Sequence, residues 1–277
     1  MLVSGRKIIN VLRHGAAIAA IFASQASPAF AETDDSINPD RLGIADGSNV
    51  VGAASKKASN EDSHKVAFKL TPSYYQSSDD NDAFDINLRA NLAQHTAWIG
   101  QYRNKKGYSQ ARTGYENKLD FGLARLTLSA QLASGGFVGA SGTAEIGGDT
   151  FGILGFGRTN LRDYYNLNFD PNDAITVGIG SRAISDTELS LFYLWDDRLD
   201  TKQRITHFVL RYKTSDSQRI TVDTSYKSGL TDNEVFIRGY GLSVTYDYHE
   251  YFARVARDQY VNFTGNHMTR LSLGVRF

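Results

Sequence analysis

The chain has 277 residues, with 30 basic and 30 acidic side chains, no cysteine, 15 Tyr and 15 Phe. Lacking Cys, it has no disulfide framework, no lipid-modified cysteine and no thiolate metal or redox site. Its charge balance excludes the basic footprint of a nucleic-acid binder. No segment approaches the ~18 consecutive apolar residues of a transmembrane helix.

Arg6, Lys7 and Arg13 form a basic start, Gly15 to Ala23 a short apolar core, and Pro28-Ala29-Phe30-Ala31 offers small residues where a signal peptidase reads. This pattern predicts a signal peptide over 1–31, cleaved after Ala31, and therefore export. The segment carries three basic and no acidic residues, so the remaining chain is slightly acidic. Residues 32–64 are rich in Ser, Asp, Asn, Ala and Gly and contain no aromatic residue. Such a stretch buries too little apolar surface to offset the entropy of ordering it. A disordered periplasmic leader is expected there, with a plug or partner-binding segment as the alternative.

From residue 65 onward the hydropathy alternates with a period of two. Phe84, Ile86, Leu88 and Ala90 are interleaved with Asp85, Asn87, Arg89 and Asn91. Leu126, Leu128, Ala130 and Leu132 alternate with Arg125, Thr127, Ser129 and Gln131. Ile220, Val222, Thr224 and Tyr226 oppose Arg219, Thr221, Asp223, Ser225 and Lys227, and Tyr240, Leu242, Val244 and Tyr246 continue the pattern. Strands are predicted near 65–75, 83–91, 95–103, 108–122, 125–134, 136–147, 149–159, 173–183, 187–196, 204–213, 218–227, 235–246, 250–260 and 267–277. A membrane protein without spanning helices must close its backbone hydrogen bonds in a barrel. The expected fold is an all-β, antiparallel up-and-down transmembrane barrel of about 14 strands over 65–277, with 12 as the alternative. An even count leaves both ends in the periplasm. LAQH, GLAR, GGD, ISDT, TSDSQ and DYHE then become short periplasmic turns. QSSDDND, RNKKGY, SGG, TNLRDYYNLNFDPND, DRLDTKQ, SGLTDNE and VNFTGN become outer loops. Aromatics bunch at the strand ends, as interface girdles require.

The last strand, His267 to Phe277, is apolar on one face (Leu271, Leu273, Val275) and carries Arg270 and Arg276 on the other. It resembles the terminal strand of bacterial outer-membrane β-barrels, in which a final aromatic residue is part of the assembly signal. That resemblance covers residues 65–277 and singles out no family, although the size is similar to that of small monomeric porins. It implies the bacterial outer membrane as location. It also implies membrane lipid and lipopolysaccharide as surroundings, and recognition of Phe277 by the barrel-assembly machinery.

Function should lie on the inward face. Alternation places Lys69, Asp85, Arg89, Glu116, Lys118, Asp120, Arg182, His207, Arg211, Arg219, Asp223, Lys227, Arg254, Asp258, Arg270 and Arg276 there. These side chains either pair into a closed polar core or line a water-filled passage whose arginine-rich half favours anions. A fourteen-strand wall is too wide for side chains alone to fill, which favours the passage. The longest connection, 159–173, contains Tyr164, Tyr165, Leu167 and Phe169. It is expected to cap the rim, or to fold inward as a constriction or ligand-docking segment through Tyr164, Tyr165 and Phe169. Asp79, Asp80 and Asp82 invite a divalent-ion reading but have no fixed ligand geometry.

One grouping raises catalysis: His207 and Ser225 should face each other across a hairpin, with Asp223 one diagonal step away. It lies on the inward face, out of reach of bilayer lipid, and no His-x-Ser-Asn-Gly stretch of the outer-membrane phospholipase type is present. His95, His249 and His267 have no metal-site spacing. No cofactor or metal is expected. The sequence therefore reads as a passive channel for small solutes or oligosaccharides, before a non-conducting structural or adhesive barrel and before a lipid hydrolase.

Overall fold

The computed structural model describes residues 66–277; the expected signal peptide over 1–31 and leader over 32–64 lie outside the described residues. Fourteen antiparallel strands close on themselves, each hydrogen-bonded to its sequence neighbours, with the last paired to the first. They are β1 (Ala67–Ser77), β2 (Ala83–Leu92), β3 (His95–Asn104), β4 (Ser109–Asp120) and β5 (Ala124–Ala133). β6 (Phe137–Gly147), β7 (Thr150–Thr159), β8 (Ala174–Ser181), β9 (Thr187–Asp196) and β10 (Arg204–Ser215) follow. β11 (Gln218–Leu230), β12 (Phe236–Tyr248), β13 (Tyr251–Asp258) and β14 (Met268–Arg276) complete the wall. The fourteen-strand expectation holds, and the twelve-strand alternative does not.

Polarity is inverted relative to a water-soluble barrel. Phe84, Ile86, Ile99, Leu154, Ile179, Phe208, Leu242, Val255, Leu271 and Leu273 are exposed, whereas Asp85, Arg89, Arg112, Glu116, Arg211, Lys227 and Arg270 are buried. Since successive side chains of a strand point to opposite faces, the exposed apolar set is the outer wall and the buried charged set is the interior. That arrangement suits lipid outside and polar contacts inside.

Connections alternate in length. At one end β2–β3, β6–β7, β10–β11 and β12–β13 are joined by two-residue links. β4–β5 and β8–β9 join at the same end through 121–123 and 182–186, and the opposite end carries the longest loops, 160–173, 259–267 and 197–203. Strand ends depart slightly from the expected bounds. Arg182 leaves the ladder after β8, its N–H bonding to the Asp149 carbonyl at 2.6 Å, and β11 runs three residues further, to Leu230.

Interior aromatics are seated on glycines. Trp98, Phe151, Phe192 and Phe252 stand directly opposite Gly114, Gly180, Gly178 and Gly274 on the neighbouring strand. The missing side chains let the Trp98, Phe151 and Phe252 rings lie over the wall, a known device for packing over glycine in sheets. Phe192 instead meets Gly178 through its Cβ and stacks its ring on His207. These rings thicken the wall and narrow the lumen.

Candidate functional site: a barrel interior crossed by a loop

The β7–β8 loop, residues 160–173, turns into the barrel. Its feet are fixed by Asp173, which accepts from the Thr159 N–H at 3.1 Å, the Thr159 hydroxyl at 2.5 Å and Arg198 at 2.7 Å. Asn166 braces the inner turn, donating to the Asp170 carbonyl at 2.7 Å and accepting from the Asn168 N–H at 2.9 Å. Phe169 takes a φ of 66°, which reverses the chain within the lumen.

Contacts with the wall then carry the loop across the interior. The Tyr164 ring stacks on Phe137 at 4.0 Å and Tyr165 on Tyr102 at 5.0 Å. Gln110 binds the Tyr165 backbone twice, donating to its carbonyl at 3.1 Å and accepting from its N–H at 3.0 Å. Leu167 and Phe169 are buried with Tyr75, Ala83, Tyr102, Val261 and Met268. The Arg270 guanidinium faces both Tyr75 and Phe169, and one of its nitrogens lies 3.4 Å from the Leu167 carbonyl. At the far side Asp170 reaches His207 Nε2 at 3.2 Å, while Asp223 holds His207 Nδ1 at 3.1 Å. The rim-cap expectation for this loop is replaced by an inward path, because Leu167 and Phe169 find an apolar niche only inside.

Charged residues of the interior are gathered into pairs. Arg112 meets Asp85, Arg211 meets Glu188, Lys227 meets Asp258 and Arg276 meets Asp247. Arg182 bridges Glu145 at 2.7 Å and Glu188 at 2.8 Å, with its guanidinium 4.0 Å above the Phe151 ring. Arg219 approaches Asp247 at 3.4 Å, Lys118 lies 4.0 Å from Glu116, and Arg254 donates to Thr245 at 3.1 Å. Arg89 is buried on β2. Asp120 differs from the others: it sits exposed at the end of β4, near Arg125. Sequence reasoning missed Arg112, Glu145, Glu188 and Asp247, though the same alternation rule assigns each to the inner face. With those carboxylates included, most interior arginines and lysines face an acidic partner and do not form a bare positive wall.

The opposite side of the lumen is different. A cavity of about 120 Å³ lies between the loop and β5–β8, lined by Thr127, Ser129, Gln131, Ser141, Thr143 and Asn172 together with Glu116, Arg158 and Asp170. Small hydroxyl and amide side chains make up much of its wall, with Arg158, Phe156, Phe192 and Leu194 beside them. Toward the charge-rich wall of β10–β14 the loop packs more closely, leaving a gap of about 30 Å³ beside His207, Asp223, Ser225 and Lys227.

His207 and Ser225 are register partners, as the hairpin requires. Yet both ring nitrogens of His207 face acceptor-only carboxylates, so the ring bridges two acids and is not aimed at a hydroxyl. His95 engages the Tyr115 hydroxyl at 2.5 Å, and His267 accepts from the Tyr260 N–H at 3.2 Å. Asp79 and Asp82 are held by lysines of the next loop, Lys106 at 2.7 Å and Lys105 at 2.5 Å. The Lys106 ammonium and the Ser77 hydroxyl hold the Asp79 carboxyl down to about 2, and Lys105 with Tyr74 does the same for Asp82. Phe277 pairs its backbone with Phe68 in both directions, at 2.7 and 2.9 Å, and its ring stacks on Phe68 at 5.6 Å.

No protein-family model matches this chain, and no curated protein matches it significantly. Among solved structures, the outer-membrane protein Omp33 of Acinetobacter baumannii is similar, with a TM-score of 0.51 at 9% identity over 76% of this chain and 97% of that one. The KdgM porin aligns with a TM-score of 0.43 at 11% identity, over 76% and 98% of the two chains. A mutant of the Rh. blastica porin aligns with a TM-score of 0.45 at 8% identity, over 77% and 99%. The Omp33 likeness bears on architecture alone, and it agrees with the closed barrel and its inverted polarity: in fold the chain is a transmembrane β-barrel similar to bacterial outer-membrane porins.

Proposed function

We propose that this barrel is a passive outer-membrane channel for small hydrophilic solutes, narrowed by the inward loop 160–173. The observation that carries the reading is the division of the lumen. The loop packs closely toward β10–β14 and leaves the larger opening beside β5–β8, where hydroxyl and amide side chains line much of the wall. A closed structural barrel has no need of such a one-sided opening. Arg89, Lys118, Arg182, Arg211, Arg219, Asp223, Lys227, Arg254, Asp258 and Arg270 act on this reading as a mixed-charge lining, together with the carboxylates Glu116, Glu145, Glu188 and Asp247 that pair with several of them. Ion preference is then weak, in place of the anion preference that the arginines alone suggest.

The same reading gives His207, Asp223 and Asp170 a latching role and no catalytic one. A triad needs its histidine aimed at the nucleophile, and here both nitrogens are engaged by acids. Residues 1–31 serve export, and Phe277 presents the closing strand to the assembly machinery.

Single-channel recording of refolded residues 32–277 in a planar bilayer tests the proposal. Stable current steps are expected, with a reversal potential near zero in a salt gradient. Replacing 163–170 by a short Gly-Ser link should raise the conductance severalfold. Absence of current from both forms, with the barrel folded, would make it a non-conducting structural barrel.

A further inference from the structure

The outer face of β9–β12 carries an arrangement that the channel does not use. Register sets Trp195, Arg204, Ser228 and Arg238 side by side in one row across four adjacent strands. The next row toward the turn end holds Tyr193, Thr206, Tyr226 and Tyr240. Both rows face outward, since they alternate with the buried Ile205, Lys227 and Ile237.

Depth follows from the strand itself. Below Tyr240 the face continues through Leu242 and Val244 to Tyr246 and Tyr248, all exposed. Eight residues at roughly 3.3 Å each, tilted by roughly 40°, cover about 20 Å of depth. That fits within the ~25 Å apolar band of a membrane barrel, with tyrosines at both of its edges. Tyr226 and Tyr240 are in contact at 5.2 Å and Tyr193 and Trp195 at 5.6 Å, so aromatic pairs flank Thr206 on either side in this girdle. Arg204 and Arg238 stand immediately beyond it, at headgroup level.

Neither arginine has an ion pair among the described residues, although Asp200, Asp232 and Glu234 lie in the adjoining loops. Arg238 rests its guanidinium 5.6 Å from the Phe236 ring. The two backbones are two strand spacings apart, about 9.5 Å. Both side chains are long enough to converge on one anion above Ser228. Arginine's planar fork suits phosphate oxygens, which it binds in pairs.

We infer that Arg204, Ser228 and Arg238, above the Trp195–Tyr226–Tyr240 girdle, form a docking site for the phosphorylated headgroup of a membrane lipid on the loop side of the bilayer. Apolar chains of that lipid lie along Phe208, Leu242 and Val244. A free anion in water would not be presented at this depth or need the apolar strip beneath.

Native mass spectrometry of the refolded chain in neutral detergent tests this, with bisphosphorylated lipid A and its dephosphorylated form as probes. The wild type should retain the phosphorylated probe at least tenfold more than the dephosphorylated one. R204Q/R238Q should lose that preference while keeping its heat-modifiable migration, and R103Q, a lipid-facing arginine on β3, should keep it. Equal retention by wild type and R204Q/R238Q would overturn the inference. So would displacement of the lipid by equimolar inorganic phosphate, which would make this a free-anion site.

Discussion

Trp98 lies across the backbone of Gly114, its register partner, so closely that a Cβ on Gly114 would stand 2.0 Å from the indole Cζ2. The ring is buried against the wall of β3–β4 because that position has no side chain. Gly114→Ala should force the indole off its seat and into the lumen. Overpacking of this kind costs about 1–3 kcal/mol, read as a lowered urea midpoint for vesicle-embedded barrel. Tryptophan emission should shift as the ring meets water. An unchanged midpoint and spectrum would mean the wall yields and the glycine is not a seat.

Asp85 and Arg112 are both fully enclosed, and their side chains meet across β2 and β4 with β3 between them. A single Asp85→Ala leaves the guanidinium buried beside no carboxylate from this partner, at a cost of about 3–5 kcal/mol. Replacing both, as Asp85→Leu with Arg112→Met, should cost less than either single change. Urea titrations of the three variants in lipid check the order. A double variant worse than both singles would mean the residues act separately.

The fold was legible because the lipid and the lumen impose opposite demands on alternate residues, and that phase persists along every strand. Even the weak stretch 136–147, where Gly and Ala blur the alternation, falls on β6 (Phe137–Gly147). The phase also assigns Arg112, Glu145, Glu188 and Asp247 inward, although the list drawn from sequence omitted them. What no local pattern shows is the path of 160–173. Its holding contacts are Gln110, 55 positions away, and His207, 37 positions from Asp170. A loop rich in Tyr and Phe reads equally as a rim cap until the niche formed by Tyr75, Tyr102 and Met268 is known.

The β1–β2 and β3–β4 loops are clamped by Asp79–Lys106 and Asp82–Lys105, with both carboxyls held at about 2. A carboxyl depressed in the folded state contributes stability that is present above its unfolded pKa, near 3.9, and is lost as pH falls through about 2. The clamp should therefore be intact at pH 5 and release only in strong acid. Carboxyl ¹³C titration of the two side chains should give midpoints near 2, rising toward the ordinary aspartate value in K105A/K106A. Wild-type midpoints already at the ordinary value would show that the lysines do not hold these loops.

Asp170 ties the inward loop to β10 through His207, and Asp223 steadies that ring from β11. Phe192 stacks on the same imidazole at 4.9 Å, fixing its plane. The latch is a single contact between loop and wall, so Asp170→Asn and His207→Ala should each loosen the same end of the loop. Both should give larger or noisier open-channel currents, with conductance raised about twofold. Their effects should not add, because each removes the same interaction. Asp223→Asn touches the loop only through His207 and should do less. Wild-type currents in both single variants would mean that the loop is held by Leu167, Phe169 and the Gln110–Tyr165 bonds alone. Fully additive effects would place Asp170 and His207 in separate roles, with His207 acting on the charge of the passage and Asp170 on its width.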